Sequence, residues 1–370
     1  MASARAARKP ARASTTARRA TARTTPPAPP RLEKLIGADG RPAFGVFDDA
    51  VGEVNVADYR HRSPMGGAAG AVASWLGFKQ FQYFGVISDE LLFGCALANL
   101  RTLGIAFVYL HLPGRGLVIE KSVSSPLGLG LDLSRSPIAG VSRLRSGSLA
   151  VEFGYEESPR AKSMRVTLGR ELTVEARMDE TGAHFEPMSL CTRIGRNGWV
   201  YAHKVAGVPV TGSIRFEGSE LDLASAHAFG HHDFSAGYMR RETFWNWACL
   251  SGEAADGRAI GVNVSCGVNE TSFTENCFWL DGRLHRLGLC HFEYDWDRPL
   301  EPWRVTSDDG RLELTFESEG QHRERLDLGL AASDFKQIFG RFSGELRTED
   351  GDTVAIRAVR GFVEDQYAKW

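Results

Sequence analysis

The sequence lacks most of the short signatures that mark a catalytic class. Its six cysteines, Cys95, Cys191, Cys249, Cys266, Cys277 and Cys290, include no CxxC pair, which removes the common zinc-cluster and dithiol redox motifs. No GxGxxG or GxxxxGK[ST] occurs, so the usual dinucleotide and nucleotide phosphate cradles are missing. GxSxG is absent, and with it the common hydrolase elbow. HExxH is absent too, and with it the helical zinc-protease site. No apolar run approaches the roughly 18 residues that a membrane-spanning helix needs. Acidic residues are missing before Glu33.

That last absence sets off a basic start. Arg5, Arg8, Lys9, Arg12, Arg18, Arg19, Arg23 and Arg31 stand in an Ala/Arg/Ser/Thr/Pro-rich stretch that offers little to bury. Residues 1–31 are therefore expected to be a disordered tail, able at most to make weak contact with an anionic surface. No apolar segment follows it as in a secretory signal, although an Arg- and Ser-rich start can imitate an organelle transit peptide. The expected setting is cytoplasmic, with buried free thiols. The remainder carries 36 basic against 46 acidic residues. A body of that sign gives no electrostatic reason to bind nucleic acid.

What the chain does contain is alternation. In ELTVEARM (171–178), Leu172, Val174, Ala176 and Met178 share a face. RLELTFE (311–317) and GRAIGVNVS (257–265) alternate in the same way, as half-buried antiparallel strands do. Between such runs lie the turn sequences DETG (179–182), GRNG (195–198), ADG (255–257), LDG (280–282), DDG (308–310) and EDG (349–351). The fold class expected is all-β, with two consecutive antiparallel barrel or sandwich modules at 32–205 and 206–370. Helical signals are few. SDELLFGCALANL (88–100) fits a helix or a strand, LAASDFKQIFGRF (330–342) suggests one short helical turn, and SWLGFKQFQYFGVIS (74–88) reads as a core strand.

Candidate chemistry concentrates in AFGHHDFSAGYMRRETFWNW (228–247). In an extended chain His231 and Asp233 share one face and His232 takes the other. Such a pair suits a general acid/base, or two ligands of a metal site completed from elsewhere by His285, His291 or Glu293, or only a polar loop whose Asp caps amides. Glu242 is a further acid/base candidate. Trp245 and Trp247 fall on one strand face, where they would line an apolar pocket with Arg241 and Asn246 orienting a ligand. Asn263, on the polar side of its alternation, faces either water or a barrel lumen. Asn263, Asn269, Glu270, Glu275 and Asn276 form a polar set in the next strands, and Asn263 and Glu270 are taken as ligand-binding candidates. His203 and Lys204 precede a Gly/Pro-rich turn that reads as a lid or a connection.

Several segments together resemble the bacterial family DUF2804: WLGFKQFQYFGVIS, YEESPR (155–160), HKVAGVPVTGSI, HDFSAGY and RRETFWNWACLSG. The resemblance runs from about residue 32 to the end. It implies a fold related to lipocalin-like barrels and, more distantly, to two-barrel proteins such as carotenoid 1,2-hydratase and some cyclase-type enzymes. In those a cavity between or within barrels holds a long hydrophobic substrate. It transfers no catalytic residue. The function expected is binding of a hydrophobic, lipid- or isoprenoid-like molecule, with or without cofactor-independent hydration, isomerisation or cyclisation. A non-catalytic carrier is the alternative.

Overall fold

The computed structural model describes residues 31–370, except 182–184, 269, 328, 330 and 331. Of the basic tail only Arg31 falls within the described residues, where it pairs with Glu33 and Glu157. Among the described residues the strands divide into two antiparallel sheets. The first, of 14 strands, runs from Gly45–Phe47 to Phe229–Tyr238. The second, of nine strands, runs from Glu242–Glu253 to Thr353–Lys369. The chain passes between them at residues 239–241. Position 205, where the two modules were divided, lies within the long strand Gly198–Phe216.

Each sheet curls around a core of its own. Phe84, Phe93, Val108, Phe153, Val166 and Val210 belong to the first core. Leu250, Val262, Phe278, Trp303, Phe316 and Ile338 belong to the second. A third apolar cluster draws on both sheets, with Tyr83, Tyr109 and Leu190 meeting Trp247, Phe339 and Phe362. Parity explains the division. Along Phe78–Ile87, Phe84 and Val86 point into the first core while Tyr83 and Ile87 point to the third. The two curled sheets thus pack outer face on outer face, and the strands at this seam bury both sides. The class expected from the alternation and the turns, two lipocalin-like antiparallel modules with few helices, is the class observed.

The turn sequences act as hairpins. Ile194 pairs with Gly198, Leu280 with Arg283 and Arg347 with Thr353. Asp281 and Gly282 both have positive φ (50° and 83°), as a two-residue hairpin turn of the primed type requires.

Two local expectations are corrected. Residues Ala332–Arg347 form a continuous strand with no helical turn, because Phe335, Gln337 and Phe339 alternate with Lys336, Ile338 and Gly340 between two long partners. The strand expected from residue 74 begins only at Phe78; Ala71–Gly77 before it form the one α-helix among the described residues. The ambiguous segment at 88–100 resolves to a strand, Leu92–Asn99. There Gly94 lets the Tyr109 ring lie across the backbone: a Cβ at that position would stand 2.3 Å from the phenol oxygen.

Candidate functional site

The strand Phe229–Tyr238 lies between Phe78–Ile87 and Gly198–Phe216 in the first sheet. Its neighbours place its side chains on two different faces. His232 enters the first core, against Phe84 with ring centroids 4.4 Å apart, and its Nε2 lies 3.2 Å from the Tyr155 hydroxyl. His203 is also in this interior, 6.3 Å from His232 ring to ring, along with the buried ion pair Lys162–Glu180. Burial holds both imidazoles well below the usual histidine pKa, with the Lys162 charge adding to the effect.

His231 and Asp233 share the opposite face, as their spacing predicts, and that face is the seam. The His231 ring rests over Gly85, its register partner: a Cβ there would lie 2.1 Å from the imidazole. Tyr83 and Phe362 flank it, each at 5.4 Å. Neither ring nitrogen has a hydrogen-bond partner among the described residues, and burial lowers the pKa to about 3. The imidazole is therefore neutral at ordinary pH.

Asp233 does not pair with His231. Its carboxylate stands 3.2 Å from Lys204 Nζ and accepts a hydrogen bond from Ser235 Oγ at 2.8 Å. The same ammonium reaches Glu275 at 2.6 Å and lies 4.7 Å above the Trp247 ring. Burial opposes the Lys204 charge, but Asp233 and Glu275 outweigh it, so its pKa is raised. Burial and the neighbouring Glu275 push Asp233 up against the pull of Lys204. Lys204 belongs to the first sheet and Glu275 to the loop before Cys277–Leu280 of the second, so this buried ion cluster crosses the seam.

A second carboxyl lies nearby. Glu364 is buried and accepts hydrogen bonds from Trp245 Nε1 at 3.0 Å and Gln337 Nε2 at 2.7 Å. Burial outweighs both donors and lifts its pKa to about 7. Trp247 Nε1 donates to Asn263 Oδ1 at 2.8 Å, and Asn263 donates to the Glu275 carbonyl at 3.0 Å. Asn263 is thus buried against the other sheet, facing neither water nor a lumen. The Tyr83 and Tyr109 hydroxyls meet at 2.6 Å. The sheets approach closely beside this cluster, where a Cβ on Gly207 would stand 2.7 Å from the Gly261 nitrogen, so glycine faces glycine.

The seam therefore gathers His231, Asp233, Trp245, Trp247 and Asn263. Asn246 points into the second module, where it donates to Tyr294 and to the Glu364 carbonyl, both at 3.1 Å. Glu242 is exposed and 3.4 Å from Lys369, and Arg241 beside it is also exposed. Glu270 lies at a surface pocket near the seam. Asn269 falls outside the described residues. Of the further metal-ligand candidates, His285 is bonded to Glu349 and stacked on Phe278, away from His231. Sequence reasoning missed Glu364 and Gln337 and gave Lys204 no chemical role. The available signal was charge set in otherwise apolar strands, Lys204 in VYAHKVAGVPV and Glu364 beside Asp365 in RGFVEDQY.

Fold and site together define a two-module lipocalin-like β protein with ionisable groups buried between its modules. The chain belongs to the family described as Domain of unknown function (DUF2804), whose profile matches residues 28–370. It is similar in structure to CghA, at 10% identity and a TM-score of 0.51, over 90% of this chain and 97% of that one. It also matches kievitone hydratase from Nectria haematococca, at 12% identity and a TM-score of 0.47, over 80% and 90% of the two chains. No curated protein sequence matches it.

Proposed function

We propose that the seam is a cofactor-independent acid/base site acting on an apolar, unsaturated small molecule. The observation that carries this reading is Glu364, a carboxyl buried in the aromatic wall of the seam and hydrogen-bonded to Trp245 and Gln337, where burial lifts its pKa to about 7. The reaction that suits it is proton transfer from Glu364 to a carbon–carbon double bond. The resulting cation is stabilised by the rings of Tyr83 and Phe362. It then adds water, is attacked by a second double bond of the same molecule, or loses a proton from a neighbouring carbon. These outcomes are hydration, cyclisation and isomerisation. His231, neutral and without a polar partner, is a weak base suited to an acid as strong as a carbocation. The Lys204–Asp233–Glu275 cluster fixes the wall and sets the local field; we assign it no proton.

The test works whatever the identity of the substrate. The protein is incubated in D2O with a total lipid extract, and the extract is analysed by mass spectrometry. One class of unsaturated molecule is expected to gain deuterium with the native protein and not with Glu364→Gln. Identical spectra for the two proteins would sink the reading. A molecule that co-purifies with the protein and returns from D2O unlabelled would assign the seam to carriage without chemistry.

A further inference from the structure

Beside the seam an open pocket of about 330 Å3 is lined by Val46, Glu270, Phe273, Arg286, Leu287 and Leu289 among others. This lies at the lower end of small-molecule pockets, roughly 300–1,000 Å3. Its walls are mainly apolar, and of its two charged groups Glu270 is held by backbone amides of its own loop while Arg286 is uncommitted. Arg286 closes the short strand Arg283–Arg286 opposite Cys277. His285 before it turns into the second module and stacks on Phe278 with ring centroids 4.7 Å apart. Parity therefore sends Arg286 the other way, to the pocket. Its side chain makes no ion pair or hydrogen bond with any described residue, although Asp48 and Glu186 are near enough to act on it through space. Burial lowers its pKa, a sign that the guanidinium has given up water without gaining a counter-ion. Glu270 in the same lining accepts backbone hydrogen bonds, its Oε1 is buried without a partner among the described residues, and it forms no ion pair with Arg286.

The pocket is continuous in sequence with the seam. Phe273 packs against the apolar cluster shared by the two sheets, and Glu275, two residues on, holds Lys204. A molecule with its polar end at Arg286 would lie with its apolar part toward that cluster. We propose that this pocket receives the anionic end of an amphipathic monoanion, a carboxylate on an apolar body, with Arg286 as its ion partner. The proposal rests on the acid/base reading only in taking the seam as the place the apolar body reaches. A planar guanidinium free of protein partners matches a carboxylate through two parallel N–H···O bonds. Phe273, Leu287 and Leu289 supply the contact area.

Binding can be measured without turnover. Isothermal titration with decanoate and with decanol separates charge recognition from apolar contact. The native protein should bind decanoate about tenfold more tightly than decanol, the difference expected of one charge-assisted pair. Arg286→Gln should lose that discrimination. Leu289→Asp, at a position 44% exposed, should weaken decanoate several-fold by placing a negative charge at the rim. Thermal unfolding of both variants checks that they are folded. Equal affinity of the native protein for acid and alcohol, no binding of decanoate, or unchanged discrimination in Arg286→Gln would overturn the proposal. Deuterium transfer reads the seam separately. Its absence beside intact discrimination removes the acid/base reading and leaves the pocket standing; the reverse result removes the pocket.

Discussion

At the scale of single residues, Lys204 joins the two sheets through charge. Its ammonium is the cation shared by the Asp233 and Glu275 carboxylates at the seam. Removing one partner of a buried ion cluster leaves uncompensated charge, which typically costs about 3–5 kcal/mol. Lys204→Met is expected to lower unfolding free energy by that order, read as a shift of the urea midpoint. An unchanged midpoint would show that Lys204 does not hold the two carboxylates. Glu364 makes a different prediction. With its pKa near 7, its acid form is lost as pH rises through neutrality. Deuterium transfer should therefore decline from pH 6 to pH 8 with a midpoint about 7, as a required acid demands. A rate rising over that range would exclude Glu364 as the donor.

At the scale of elements, the seam depends on where side chains are missing. His231, Gly85, Gly94 and Tyr109 form a row across four neighbouring strands, in register at each step. The two glycines leave room for the imidazole and the phenol to lie flat over the backbone. Gly85→Ala would drive a methyl group into the His231 ring, and overpacking of this kind costs about 1–3 kcal/mol. We expect loss of stability in that range and a changed His231 imidazole resonance in NMR spectra. A native-like spectrum would mean that the ring is not seated over Gly85. This arrangement also explains a partial legibility. The sequence places His231 and Asp233 on one face through simple alternation. Their separate fates, an apolar slot for one and an ammonium for the other, depend on strands far away in the chain.

At the scale of the whole molecule, burial of neutral histidines sets an acid limit. His203, His231 and His232 have folded-state pKa values below the 6.5 of the free side chain, chiefly through burial. The unfolded chain therefore binds more protons below pH 6.5, so their contribution is complete above that pH and is lost as pH falls. For His231, whose pKa falls to about 3, the loss between pH 6.5 and 5 is roughly 2 kcal/mol, at about 1.36 kcal/mol per pH unit; His203 and His232 act in the same direction. Glu364 works in the opposite direction: its raised value disfavours folding as pH climbs from 4.5 through 7. Urea midpoints should peak near pH 6.5 to 7 and drop steeply by pH 5. A flat profile over that interval would contradict neutral burial of the histidines.

Period-two alternation and Asp-Gly turns determine the all-β class here, because both follow from local backbone geometry whatever strand lies alongside. They also determine which residues share a strand face, and so the separation of His232 from His231 and Asp233. Alternation fails where a strand buries both sides. Asn263 occupies a position that looks polar and exposed, yet it is 2% accessible because a second sheet lies over it. Burial of this kind makes Glu364 an acid near neutrality, gives Lys204 two carboxylates and leaves Arg286 beside a pocket without a counter-ion. Each is a meeting of segments distant in the chain or a consequence of desolvation. Only the packing of one curled sheet on the other decides them.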